Sequence, residues 1–352
     1  MTFYQLLSYN DVLLRTENGS RYLLLGNGFS IAYDEIFSFK NLFDYAVDKN
    51  LISVNSPLYN MFFYDFKTYD FEKVIKKLEE SIIVYFRYHN YPYYYNNLHM
   101  DIYNLKRILI DVLSELHPEN ATSLDEFNYS HAKSFIKEYK SIFTLNYDLL
   151  LNWISLDLEY AKSESNSFNK LKVDDGFRRP NGNLTFIENN SEQTIYYLHG
   201  ALHIFDEDIY INKITSKNGD KSLIQQIKEN ISFSKYPLFV SEGTWQNKLS
   251  KIKKNIYLNH CFNSLKKLGF YNNNDSLVIF GTLLKSNDNH IIEAIRQNNI
   301  KNIYIGLSSE NKMYTDCSHI IRELEETKNI YFYDYNTVHI WKSNFNNSKN
   351  HR

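Results

Sequence analysis

Residues 276–306 read SLVIFGTLLKSNDNHIIEAIRQNNIKNIYIG. An apolar run at 276–280 ends at Gly281, and a helical pattern at 290–297 follows, with Asp288 or Asn289 placed to cap it. A second apolar run, 302–305, ends at Gly306. Continuous apolar runs, rather than alternating ones, mark strands covered on both faces, as in a parallel sheet. A further helical stretch, YTDCSHIIRELEET (314–327), leads into a third run, NIYFYD (329–334). Strand, helix, strand, helix, strand makes consecutive βαβ units. The expectation is an α/β fold with a Rossmann-like, doubly wound, mostly parallel sheet.

Working outward, three more runs match this type: RYLLLG (21–26), SIFTLN (141–146) and TIYYLHG (194–200). Between the first and second lie two stretches with apolar residues at helical spacing, FEKVIKKLEESIIVYFRYH (71–89) and LHMDIYNLKRILIDVLSELH (98–117). The break YPYYYNN (91–97) separates them, and its tyrosines are read as packing residues. The domain expectation is therefore a Rossmann-type unit over 1–39 and 141–345, a helical insertion over 40–140, and a polar C-terminal tail at 346–352. Residues 161–170 and 271–274 read as surface loops.

Composition narrows the function classes. The 352 residues carry 39 basic and 41 acidic side chains, a net charge of −2, which excludes coating nucleic acid through bulk charge. One stretch departs from this balance: 213–267 holds eleven Lys against Asp220, Glu229 and Glu242, or +8. Basic stripes can track phosphates, although such a face is more often simply solvated. The N-terminus lacks the pattern of a signal peptide and no apolar run approaches the roughly 20 residues of a membrane span, so a cytoplasmic protein without membrane association is expected. Two cysteines, Cys261 and Cys317, cannot build a four-cysteine zinc site. Glycine is scarce, 11 against the roughly 25 of average usage, so each one needs a reason.

Four short motifs close predicted strands. Gly-Asn-Gly-Phe-Ser (26–30) follows the first, as strand-to-helix turns that approach phosphates do. Thr144, Asn146 and Asp148 form Thr-x-Asn-x-Asp at the second; alone, this reads as a helix cap. Leu-His-Gly (198–200) closes the third, and His203 follows at i+4 from His199, but Gly200 and the preceding strand argue against a metal-binding helix. Phe-Gly-Thr (280–282) closes a fourth and alone reads as a βα turn.

In this order the four motifs resemble the sirtuin superfamily, and in particular the sirtuin-like NAD hydrolases of bacterial anti-phage defence. More closely, GNGFSIAYD (26–34), FTLNYDLLLNW (143–153), DDGFRR (174–179), YLHGALHIF (197–205), PLFVSEGT (237–244) and IFGTLLKSNDNHIIEAI (279–295) resemble the family known as domain of unknown function 4917. The resemblance implies a glycine loop, Gly26, Asn27, Gly28, Phe29 and Ser30, at the NAD phosphates. It implies that Asn146 orients the nicotinamide ribose or the attacking water, and that Thr144 lies beside the substrate. Asp148 would then lie near the carboxamide, with His199 as general base and Gly281 and Thr282 at the adenosine ribose. The activity implied is NAD hydrolysis to nicotinamide and ADP-ribose, with NAD as substrate and no further cofactor, no zinc and no other metal.

The acidic–aromatic–Arg segment of deacylating sirtuins is missing, since the chain reads IAYDEIFSFKNLF (31–43). Together with the cysteine count this argues against zinc-dependent deacylation. A conditional NAD-depleting effector is the expectation, switched on by a partner protein or a phage-derived trigger, and a homo-oligomer. The alternatives are a non-catalytic sensor of NAD or ADP-ribose, and a nucleic-acid effector acting through 213–267.

Overall fold

The computed structural model describes residues 6–88, 92–119, 126–160, 173–180, 182–188, 193–207, 209–215, 221–270, 274–308 and 317–341. The expected tail at 346–352 and the loop at 161–170 lie outside these.

Seven parallel strands form one sheet in the order β1-β12-β11-β10-β2-β3-β6. They are β1 (Leu6–Leu7), β2 (Arg21–Leu25), β3 (Ser141–Thr144), β6 (Ile195–Tyr197), β10 (Ser276–Phe280), β11 (Asn302–Leu307) and β12 (Asn329–Asp334). The six longer members are the six runs read from sequence. Numbered along the chain among themselves, they stand as 3-2-1-4-5-6, the doubly wound order, and β1 extends the β12 edge. Their apolar faces are shut in on both sides: Leu23, Leu24, Leu25, Leu277, Val278 and Ile279 are fully buried. The chain is thus an α/β protein with a Rossmann-like sheet flanked by helices.

The flanking helices follow their apolar periodicity. Among them are α1 (Tyr9–Arg15), α2 (Gly28–Tyr33), α3 (Phe39–Asp48) and α4 (Pro57–Asn60). The two long patterns become α5 (Phe71–Tyr88) and α6 (Pro92–Leu116), followed by α7 (Glu126–Lys137) and α8 (Leu150–Tyr160). Later come α9 (Leu223–Ser232), α10 (Trp245–Lys254), α11 (Ile256–Lys266), α12 (Asn289–Gln297) and α13 (Ser318–Leu324). Helix α12 buries Ile291, Ile292, Ala294 and Ile295 on one face. The expected side-chain cap at its start does not form, because the Asp288 carboxylate is engaged by Lys248 instead. No helix among the described residues is long and apolar enough to cross a membrane.

A second, antiparallel sheet was not foreseen. Its order is β4-β5-β8-β7-β9, with β4 (Phe177–Arg178), β5 (Leu184–Phe186), β7 (Gly200–Glu207), β8 (Tyr210–Lys213) and β9 (Pro237–Phe239). Strands β4, β5, β8 and β9, of two to four residues, are too short for a period of two to show in sequence, and the eight-residue β7 (GALHIFDE) carries no strict alternation. At the entry to β4 the Asp174 carboxylate receives two bonds from Arg178 (2.9 and 2.5 Å) and one from the Gly176 amide (2.8 Å).

Candidate active site

In a doubly wound sheet the ligand crevice opens beyond the strand ends where the order reverses. Here that point lies between β2 and β10, and both glycine motifs sit there. The Gly26 amide donates to Phe280 O (2.9 Å) and the Gly28 amide to Gly281 O (2.8 Å). A Cβ on Gly28 would lie 2.6 Å from Gly281 Cα, and one on Gly281, at φ 77°, would lie 2.6 Å from the Phe29 nitrogen. These glycines let two loops cross in backbone contact. The amides of Phe29 and Ser30 donate back to Gly26 O and Asn27 O, so all four of these loop N–H groups bond to protein carbonyls.

The remaining loop positions are equally specific. Asn27 Nδ2 donates to Phe37 O at 3.1 Å. The Phe29 ring is buried against Trp341, 5.1 Å between centroids, so this side chain belongs to the core. Thr282 Cβ would be 2.4 Å from a Cβ on Gly26, which places it directly over the loop.

Ser30 joins the first motif to the second. Its hydroxyl donates to Asp148 Oδ2 (2.5 Å) and accepts from Asn146 Nδ2 (2.9 Å). Asn146 is oriented further by its amide, which donates to Thr144 Oγ1 at 3.0 Å. Asp148 also accepts from the Leu150 amide (3.0 Å), so it serves as the helix cap its residue type suggested as well. All four side chains are buried, and among the described residues Asn146 Oδ1 has no hydrogen-bond partner. Burial raises the Asp148 carboxyl, and the Ser30 hydroxyl opposes the shift. A buried acceptor left without a donor calls for an explanation.

His199 ends the turn after β6, and Gly200, at φ 78°, swings the chain into β7. Its side-chain hydrogen bond runs to His290, Nε2 to Nε2 at 2.9 Å, rather than to Asn146 or Asp148. The two rings lie 21° from parallel with centroids 5.2 Å apart. Burial lowers both histidines, His290 to about 3, and the Lys248 ammonium adds to the effect, so both are neutral at physiological pH. His203 is separate: it is wholly buried on β7, and among the described residues neither ring nitrogen has a hydrogen-bond partner.

Behind the histidines lies an ionic cluster absent from the sequence reading. Lys248, 1% exposed, donates to Glu72 Oε2 (2.6 Å) and Asp288 Oδ1 (3.1 Å). Burial alone would lower this ammonium, but the two carboxylates outweigh it and its pKa stands above the ordinary lysine value. Glu72 also accepts from Asn287 Nδ2 (3.2 Å), and the Tyr147 hydroxyl lies between Glu72 Oε1 (2.9 Å) and Val240 O (2.7 Å).

His199, Asp288 and His290 each place one donor atom within 4.8 Å of the others, a spacing that fits a metal ion. Two of the three candidate donor atoms are already engaged, while His290 Nδ1 is buried without a hydrogen-bond partner among the described residues. The imidazoles bond each other, and an ammonium 3.1 Å from the carboxylate opposes a second cation. Of the eleven lysines in the basic 213–267 stretch, Lys213, Lys221, Lys228, Lys248 and Lys251 bond carboxylates.

The family model described as "Domain of unknown function (DUF4917)" matches residues 23–341. The chain belongs to this family. Among solved structures, one titled "Structural Basis for the Mechanism and Regulation of Sir2 Enzymes" is similar, at 10% identity and a TM-score of 0.33, over 90% of this chain and 95% of that one. No curated protein matches. The family's DDGFRR and SEGT segments have structural duties here. Asp174 and Arg178 pair with each other at the entry to β4, while Glu242 receives Lys106 (3.2 Å) from α6 and Thr244 caps α10.

Proposed function

We propose that this DUF4917 protein hydrolyses the nicotinamide–ribose bond of NAD as a conditional NAD-depleting effector in anti-phage defence, released by a partner or trigger. The observation that carries the reading is the Ser30 hydroxyl, which joins the glycine loop to Asn146 and Asp148 beside the switch point of the sheet. In the reaction the C1′–N bond breaks and its electron pair leaves with nicotinamide. Water adds to C1′, its proton passes to a base, and ADP-ribose results. A neutral leaving group and an oxocarbenium-like centre ask for positioning, a dipole and a base rather than a strong nucleophile.

Asn146 supplies the dipole, its unpartnered Oδ1 being available to a ribose hydroxyl or water, and neutral His199 supplies the base. Burial of these groups strengthens their electrostatic effect on a developing cation. The purified chain, incubated with NAD alone and with phage lysate, should release nicotinamide. Asn146→Ala and His199→Ala should each lower the rate on the order of 100-fold or more. Undiminished release in both variants would remove the assignment.

A further inference from the structure

We propose that His290 is the positioning residue for His199: it accepts the His199 Nε2 proton and so holds the His199 Nδ1 lone pair toward the substrate. The proposal rests on the reading of His199 as the base and adds a residue that the reading itself does not require.

Three observations carry it. First, the Nε2 atoms of the two rings are 2.9 Å apart, and between two neutral imidazoles such a contact requires one donor and one acceptor. Second, among the described residues His199 Nδ1 has no hydrogen-bond partner, so it is the nitrogen left for chemistry. A base must present a lone pair there, which puts the His199 proton on Nε2 and makes His290 the acceptor. Third, His290 is wholly buried on α12, and the residue two before it, Asp288, is fixed by Lys248. Lys248 is in turn fixed by Glu72 from α5. The acceptor therefore stands on a rigid base reaching from α10 to the helical insertion.

When water gives its proton to Nδ1, His199 becomes an imidazolium whose Nε2–H still points at a neutral acceptor. With the opposite proton placement Nδ1 already carries the His199 proton and has no lone pair with which to accept one from water. The orienting role matches that of an acceptor behind a catalytic histidine, here played by an imidazole instead of a carboxylate.

The test is nitrogen NMR of the full chain labelled with ¹⁵N-histidine, the His199 ring assigned by its loss in His199→Gln. In the wild type the ring should be a single tautomer, protonated at Nε2. His290→Gln places a carbonyl acceptor near the former Nε2 and should keep that tautomer, with kcat for NAD within about tenfold and KM unchanged. His290→Phe fills similar volume without an acceptor; it should give a mixed tautomer and a kcat on the order of 100-fold lower, again at unchanged KM. A wild-type His199 protonated at Nδ1, or a tautomer indifferent to His290→Phe, overturns the proposal, and the wild-type spectrum alone can deliver the first result. A chain that does not cleave NAD but shows the expected tautomers would refute the activity and leave the His199–His290 pairing standing.

Discussion

Lys248 sits where the site meets the insertion, and its removal leaves two carboxylates, Glu72 and Asp288, partly buried and without their cation. Breaking a buried ion pair from one side costs about 3–5 kcal/mol. Lys248→Met should lower the unfolding free energy measured by urea titration by that much, and a loss below roughly 1 kcal/mol would show that the cluster is not a structural element. The same ammonium, with burial, keeps His199 neutral, which fixes the direction of pH dependence. A base works only when deprotonated, so a lowered pKa carries the acid limb of kcat/KM to below the ordinary histidine value of about 6.5. A limb at or above that value would contradict the buried, Lys248-facing environment.

At this scale the sequence was half legible. Ser30, Asn146, Asp148 and His199 stood in recognisable strand-end motifs, and Asp288 was seen only as a helix cap. Lys248 and Glu72 lie 176 positions apart and meet only through tertiary folding, so no local pattern announces their pairing.

Among the elements, the crossing of the β2 and β10 loops is the most demanding. Gly281→Ala would combine a left-handed backbone with a Cβ 2.6 Å from the Phe29 nitrogen. The variant should lose about 2 kcal/mol or more of stability, as strained or clashing substitutions do. A neutral outcome would mean the loops separate readily. The join between α6 and α8 makes a pH prediction. His117 accepts from the Leu149 amide at Nε2 (3.0 Å) and donates from Nδ1 to Pro118 O (3.0 Å). Burial lowers its pKa to about 4.

The unfolded chain therefore binds the proton first as pH falls from about 6.5. The contribution of this histidine, roughly 3 kcal/mol when fully present, is lost progressively between about pH 6.5 and 4. His117→Gln should flatten the stability profile across that window, as followed by urea unfolding. An unchanged slope would show that other groups dominate. Strands and long helices were readable because their apolar runs were long enough to show a period. The second sheet was not, because β4, β5 and β9 are only two or three residues each.

For the whole molecule, α5 and α6 are fastened to later parts of the chain at several points: Glu72 to Lys248 and Glu79 to Asn247 on α10, Lys106 to Glu242 after β9, and His117 to Leu149 at the start of α8. Between α5, α6 and the start of α10 lies a cavity of about 740 Å³, whose wall includes Ser286 and Asn289 beside Asp288. The strand order 3-2-1-4-5-6 places the proposed crevice at β2 and β10 rather than in this cavity. Doubly wound topology was deducible from βαβ spacing, whereas the way the insertion locks onto the site depends on side chains far apart in sequence.

A crystal structure of His199→Ala with NAD bound tests this placement most directly. The account predicts the nicotinamide ribose within hydrogen-bond reach of Asn146, with the pyrophosphate beyond the ends of β2 and β10. NAD seated in the α5–α10 cavity, or with its ribose out of reach of Asn146, would contradict it.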